Sequence, residues 1–178
     1  MSLLGSRALT AIVVTLDNMT STFPLNQSLN FDFSHDVNIA SVLTAFGLTQ
    51  FGGLISNNTY QANRSLIVSN MEPFGARLDI ELIKTPQPVS ANRTAATSNP
   101  YTSGNATTYI HFVLNQRTIP LGQSLSACGK RSDGWCELQT FLGTQANALQ
   151  LSNFDYACNA TYAAPYYGQI TNGAISST

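Results

Sequence analysis

The stretch Leu29-Asn30-Phe31-Asp32-Phe33-Ser34-His35-Asp36-Val37-Asn38-Ile39-Ala40-Ser41-Val42-Leu43-Thr44-Ala45-Phe46-Gly47-Leu48 changes its period halfway along. In its first part Leu29, Phe31 and Phe33 alternate with Asn30, Asp32 and Ser34, the two-residue repeat of a strand. From Ile39 the apolar residues fall at Ile39, Val42, Leu43 and Phe46, the stripe of an amphipathic helix. Asp36 stands where an N-cap belongs and Gly47 where the chain leaves a helix. The stretch therefore predicts a strand running straight into a helix, with Ser34-His35-Asp36 at the junction.

Working outward, Gln50 to Arg64 reads as a loop. Phe74 to Lys84 alternates as a long strand, with Phe74, Ala76, Leu78, Ile80 and Leu82 on one face. Residues 85–108 are of another kind: 16 of these 24 are Thr, Ser, Asn, Pro or Gly. They are expected to form a solvated surface excursion. Tyr109–Leu114 and Thr118–Leu121 predict two strands about an Asn115-Gln116 turn. Leu138, Phe141, Leu142 and Leu149 predict a helix over residues 137–149. The tail from Thr161 is aromatic, then small and polar, and is expected to be loose. Strands and helices mixed in this way give an α/β or α+β class. The elements are too few for a sheet layered on both faces.

Composition narrows the function. Among 178 residues there are 8 Lys+Arg and 9 Asp+Glu, so 10% of the chain is charged, against roughly 25% in ordinary soluble domains. That balance excludes a nucleic-acid binder working through bulk positive charge. An apolar content of 43% excludes a wholly disordered chain. The longest apolar stretch, Ile39 to Ile55, is too interrupted to span a membrane. Ser, Thr and Asn occupy the place of the missing charge, and seven Asn-x-Ser/Thr acceptors result: Asn18, Asn26, Asn57, Asn63, Asn92, Asn105 and Asn159. Glycans would solubilise such a surface, which points to a secreted glycoprotein. Met1 to Val14, with a single basic residue and no small-residue cleavage site, does not read as a secretory leader.

The three cysteines suit an oxidising compartment. Cys128 and Cys136 flank a turn-rich loop containing Gly129, Asp133 and Gly134, short enough for a disulfide. Cys158 is left over, which suggests a partner elsewhere. With no Cys-x2-Cys pair and no nearby His, no zinc site is expected.

His35-Asp36 is the chemically loaded point. At a helix N-terminus the N–H groups of Val37 and Asn38 would face an anion such as phosphate. An imidazolium donates to a phosphate oxygen only when protonated, and a carboxylic acid protonates a leaving alkoxide only while it holds its proton. Both requirements point to acid conditions. Read locally, the dipeptide is also open to a bland role, with Asp36 capping the helix and His35 packed at the strand end. His111, between Ile110 and Phe112, reads as a histidine of a sheet face.

Several blocks together resemble the C-terminal half of the fungal histidine acid phosphatases, phytases included. They are Phe23-Pro24-Leu25-Asn26, then Phe31 to Asp36 with Ile39 to Leu48, then Pro73-Phe74-Gly75-Ala76-Arg77. Val113 to Arg117 through Pro120-Leu121 follows, and then Cys128 to Cys136 with Glu137, Leu138 and Phe141, and Cys158. The resemblance covers residues 16–162, with 1–15 an atypical start, 85–108 a glycosylated insertion and 163–178 a flexible tail. It implies the C-terminal portion of that family's phosphoglycerate-mutase-like α/β domain, incomplete without an N-terminal half. It implies hydrolysis of phosphate monoesters through a phosphohistidine, without a cofactor. It assigns phosphate binding to His35, proton donation to Asp36, and a mutual disulfide to Cys128 and Cys136. Cys158 would pair with a cysteine of the N-terminal half. The family's nucleophile lies in an Arg-His-Gly-x-Arg-x-Pro motif, and neither His35 nor His111 follows an Arg. The chain is thus expected to carry the proton-donor half of a secreted acid phosphatase and to be inactive alone. A non-enzymatic secreted glycoprotein keeping the same fold is the alternative. Lys84, Lys130 and six arginines are all the cations available, so a basic pocket for a highly phosphorylated substrate would lie mostly elsewhere.

Overall fold

A computed structural model describes residues 31, 33–52, 58–62 and 67–152. Helix α1 (Asp36–Ala45) is followed by a 3-10 turn (Thr49–Phe51) and the short helix α2 (Val68–Met71). Strands β1 (Leu78–Thr85), β2 (Thr107–Leu114) and β3 (Arg117–Ile119) come next, then 3-10 turns at Leu121–Gln123 and Ser126–Cys128. Strand β4 (Cys136–Glu137) runs into helix α3 (Leu138–Ser152). The class is mixed α and β, as the sequence predicts.

The sheet is antiparallel and β2 is its spine. β1 pairs along one side of it, from Leu78 opposite Leu114 to Thr85 opposite Thr107. β3 and β4 share the other side, with Ile119 opposite Phe112 and Cys136 opposite Ile110. The β2–β3 hairpin turns on Asn115 and Gln116, both at positive φ (48° and 66°). This is the mirror-image turn whose twist suits a two-residue hairpin, and Asn is among the residues that adopt it most readily. Its side chain also ties the turn down: Asn115 Oδ1 accepts from the Arg77 N–H, and Nδ2 donates to the carbonyls of Asn70 and Met71.

Alternation along β2 sends Ile110, Phe112 and Leu114 to one face and Tyr109, His111 and Val113 to the other. The first face is the core, where α1 and α3 pack. Phe46 of the α1 C-cap, Phe112 of β2 and Phe141 of α3 form a triangle with ring centroids 5.1, 5.5 and 5.6 Å apart. Leu43, Ile110, Leu121, Leu138 and Cys136 are buried around it. The predicted stripe on α1 is the packed one, with Leu43 and Phe46 buried and Ile39 and Val42 against the same cluster. The helix ends as expected near Gly47. The Leu48 N–H donates to the Leu43 carbonyl and the Gly47 N–H to the Thr44 carbonyl. Gly47, at φ 72°, supplies the left-handed residue this terminator needs.

The structure differs from the sequence reading at several places along these elements. Phe31, Phe33 and Ser34 join no strand, because alternation makes a strand only where an edge is free to pair and no described strand pairs with them. The strand predicted from Phe74 begins at Leu78. The Ala76 N–H closes a turn on the Pro73 carbonyl, Gly75 is left-handed, and Phe74 is fully exposed. Helix α2 was not foreseen. The excursion between β1 and β2 is mostly exposed, as a surface excursion should be, but its residues 89–93 are docked on the outer face of the sheet, which the sequence reading did not foresee. Within it Val89 bridges Tyr101, and the N–H groups of Ser90 and Thr102 donate to the carbonyls of Pro100 and Pro88.

Asn18, Asn26, Asn57, Asn63, Asn159 and Cys158 lie outside the described residues. So do residues 1–15 and 163–178, for which an atypical start and a flexible tail were expected. Among the described residues no helix is long and apolar enough to cross a membrane.

Candidate functional site

His35 and Asp36 stand at the mouth of α1, both exposed. Their places differ by one from the sequence reading. His35, extended at φ −88° and ψ 159°, is the N-cap, and Asp36 is the first helical residue. Asp36 therefore does not cap by reaching forward to the third turn residue. Its Oδ1 accepts the N–H of the next residue, Val37, at 2.8 Å. The Asn38 N–H donates to the His35 carbonyl at 3.1 Å. The two N–H groups expected to face an anion are thus already engaged, and recognition at this helix end falls to side chains. Among the described residues no side chain holds the His35 ring, and Asp36 Oδ2 has no partner. The Asn38 amide donates to the Ser34 hydroxyl, bracketing the dipeptide from both sides. Phe31 and Phe33, just before it, stack at 6.4 Å and stand in solvent, Phe33 with 96% of its surface exposed. Val37, just after it, is exposed as well.

His111 behaves as a sheet histidine. On the outer face its Nδ1 lies 2.8 Å from Glu81 Oε2 on β1 and its Nε2 2.9 Å from Thr118 Oγ1 on β3. The carboxylate only accepts, so Nδ1 donates to it. The ring stitches three strands together and has no nitrogen left over.

A second polar group lies beside it and was not foreseen. Asp133, with a side chain only 7% exposed, sits between Arg131 and Arg93. Arg131 donates through Nε and Nη2 to the two carboxylate oxygens at 2.9 and 2.8 Å, a bidentate fork. Arg93 Nε donates to Oδ2 at 3.2 Å, and the Trp135 N–H to Oδ1 at 3.0 Å. The Arg93 guanidinium lies 4.1 Å over the Trp135 ring, and that of Arg131 4.9 Å over Tyr109. Burial pushes the Asp133 carboxyl up, but the Arg131 hydrogen bonds, the Trp135 N–H, the Arg131 charge and Arg93 outweigh it. The net effect holds it below its ordinary 3.8. No linear signal joins Arg93 to Asp133, 40 residues on. The turn residues of the cysteine loop were the nearest hint.

Cys128 and Cys136 form a disulfide with Cα atoms 4.9 Å apart. The two sequons within the described residues that carry a structural account, Asn92 and Asn105, are both exposed. Among the described residues no three His, Cys, Asp or Glu side chains converge to hold a metal ion.

Comparison with known proteins matches residues 4–115 to the model of the histidine phosphatase superfamily, branch 2. The chain is 28% identical over 156 residues to an acid phosphatase of Schizosaccharomyces pombe, covering 79% of this chain and 29% of that protein. It is 37% identical over 73 residues to phytase A of Aspergillus oryzae, and 40% identical over 73 residues to phytase A of Emericella nidulans. Each of these two matches covers 39% of this chain and 16% of the relative. The chain thus spans less than a third of the length of the curated relatives it matches.

Proposed function

Since the chain belongs to branch 2 of the histidine phosphatase superfamily, we propose that it carries the proton-donor half of an acid phosphomonoesterase site. His35 binds the phosphoryl oxygens and Asp36 protonates the leaving alkoxide. The observation that carries this reading is the state of the dipeptide. Its imidazole and one carboxylate oxygen project from the mouth of α1 without a partner in the described fold, while the other histidine is fully engaged by Glu81 and Thr118. A histidine spent on cross-strand bonds is poorly placed to be a phosphoryl acceptor. With no Arg-His-Gly-x-Arg-x-Pro sequence among these 178 residues, covalent transfer lacks its nucleophile. The 178 residues alone are therefore inactive, and the missing half of the site comes from an N-terminal half of the same enzyme. The exposed Phe31, Phe33 and Val37 support this, since apolar surface bracketing a polar dyad suits a face that another surface covers. The substrate class is a phosphate monoester. The composition and the sequons support a secreted, N-glycosylated protein, with Asn92 and Asn105 accessible in the fold.

Two measurements test the reading. The purified chain is assayed on p-nitrophenyl phosphate across acid pH, where no turnover above background is expected; substantial turnover would overturn the half-site account. With only two histidines, imidazole NMR signals are assignable. Titration with inorganic phosphate at about pH 5 is expected to move His35 and leave His111 in place. Movement of His111 alone, or of neither ring, rejects His35 as the phosphate ligand.

A further inference from the structure

Strand β1 has a partner along one side only. It pairs with β2, and among the described residues nothing bonds the backbone of its other edge. Which groups that edge offers follows from Arg77. Its N–H donates to Asn115 Oδ1 at 2.9 Å and its carbonyl accepts the Asn115 N–H at 2.9 Å, so both point toward β2. Backbone groups alternate sides along an antiparallel strand. Asp79, Glu81, Ile83 and Thr85 therefore bond β2, and Leu78, Ile80, Leu82 and Lys84 turn N–H and C=O outward. The usual protections of such an edge are missing. Pairing runs without a bulge from Leu78 to Thr85, and no proline lies within it. The two carboxylates of its outer face are drawn back into the chain, Asp79 to Arg77 and Glu81 to His111. Residues 89–93 are seated toward β4 instead, through Tyr109 and residues 131–133.

We propose that this edge pairs with the same edge of a second copy of the chain, antiparallel about a two-fold axis at Leu82. Outward residues must face outward residues, which leaves two registers that use nearly the whole strand. One centres on Glu81 and sets it directly opposite its own copy, a destabilising like-charge pair. The other centres on Leu82. There Leu82 faces Leu82 and Ile80 faces Lys84, each pair exchanging both backbone bonds. Between them Glu81 faces Ile83 and Asp79 faces Thr85, so no like charges meet. On the core face Ile80 and Leu82, which pack against the buried cluster, continue one apolar row into the copy. A two-fold contact of this kind uses one surface on both copies and closes at a dimer. The pairing stands apart from the half-site reading, whose exposed Phe31, Phe33 and Val37 lie outside β1.

Sedimentation equilibrium of the purified 178-residue chain, over about 1–500 µM, is expected to show a monomer–dimer equilibrium. Hydrogen exchange at the Ile80, Leu82 and Lys84 amides should slow as the dimer forms. Lys84→Pro removes an outward donor and no bond to β2, at a residue that is exposed. Each copy then loses one bond to the other, so the dissociation constant should rise roughly 30-fold. Register is read at Ile83, which faces the partner's Glu81. Ile83→Glu should dimerise about tenfold more weakly than Ile83→Lys, since the pair occurs twice by symmetry. Both variants lose the same packing, so their comparison holds even where each is weaker than wild type. A chain monomeric throughout overturns the proposal. So does a dimer that Lys84→Pro leaves within twofold of wild type, which would place association at another surface such as Phe31 and Phe33. Open-ended assembly, or equal affinity of the two Ile83 variants, overturns it as well.

Discussion

Asp133 is the point at which the outer layer is most exposed to perturbation. Truncation in Asp133→Ala leaves Arg131, 12% exposed, and Arg93, 27% exposed, without their common anion. Removing one member of a buried pair typically costs 3–5 kcal/mol, because the surviving charge stays desolvated. Arg93 is partly solvated and both guanidiniums keep an aromatic face, so the low end applies, about 3 kcal/mol. Asp133→Asn keeps a carbonyl for the Trp135 N–H and one arginine bond, and about 1.5 kcal/mol is expected. The carboxyl also fixes a pH dependence. Its folded pKa lies below the ordinary 3.8, so the folded state binds the proton less readily than the unfolded chain. Its contribution is whole above about pH 4 and is lost as the pH falls through the lower folded value. Urea unfolding followed by far-UV circular dichroism, repeated from about pH 6 down to pH 2, measures both effects. The wild type should lose stability below pH 4 more steeply than Asp133→Asn. An Asp133→Ala variant within about 0.5 kcal/mol of wild type, or an Asn variant with an unchanged acid limb, refutes the account of this cluster.

Two further predictions concern the core. Phe112→Ala removes the member of the aromatic triangle that joins the sheet to both helices; about 4 kcal/mol of destabilisation is expected in the same urea assay, whereas Phe112→Leu should cost less than half of that. Gln145, 1% exposed, donates from Nε2 to the Thr144 hydroxyl at 3.0 Å, reaches the Phe46 carbonyl only at 3.4 Å, and among the described residues leaves Oε1 unpartnered. Gln145→Met is therefore expected to leave stability unchanged or raise it by up to about 1 kcal/mol, read as a shift of the urea midpoint; a loss above about 1 kcal/mol would show that the amide is satisfied.

What could be read from the sequence was what depends on neighbours in the chain. Ile39, Val42, Leu43 and Phe46 specify a helical stripe, Gly47 its terminator, and Asn115-Gln116 a turn, because each signal is complete within a few residues. The His35-Asp36 junction was visible for the same reason, though displaced by one position at the cap. Phe31, Phe33 and Ser34, read as part of a strand that otherwise lies outside the described residues, pair with no described strand, because alternation says nothing about whether a partner edge exists. The docking of residues 89–93 was hidden for a related reason. A run rich in Ser, Thr, Asn and Pro reads as solvated, and most of it is; what seats residues 89–93 is a set of carbonyls and one arginine met by residues 131–135, some 40 positions away.

The His35-Asp36 dyad and Asp133 are opposite cases of what burial does for a charge. Asp133 is enclosed, its partners are fixed, and its proton affinity is displaced. Asp36 faces water beside an unheld imidazole. In water, two charges 4 Å apart interact by only about 1 kcal/mol, and several-fold more once solvent is excluded. A proton donor and a phosphate ligand gain their force when a second wall removes the water around them. On the half-site proposal, that wall would lie over the stacked Phe31 and Phe33 and over Val37. Their exposure and the openness of His35 and Asp36 are then one property. On that proposal the same apolar residues would, once covered, lower the dielectric around His35 and Asp36.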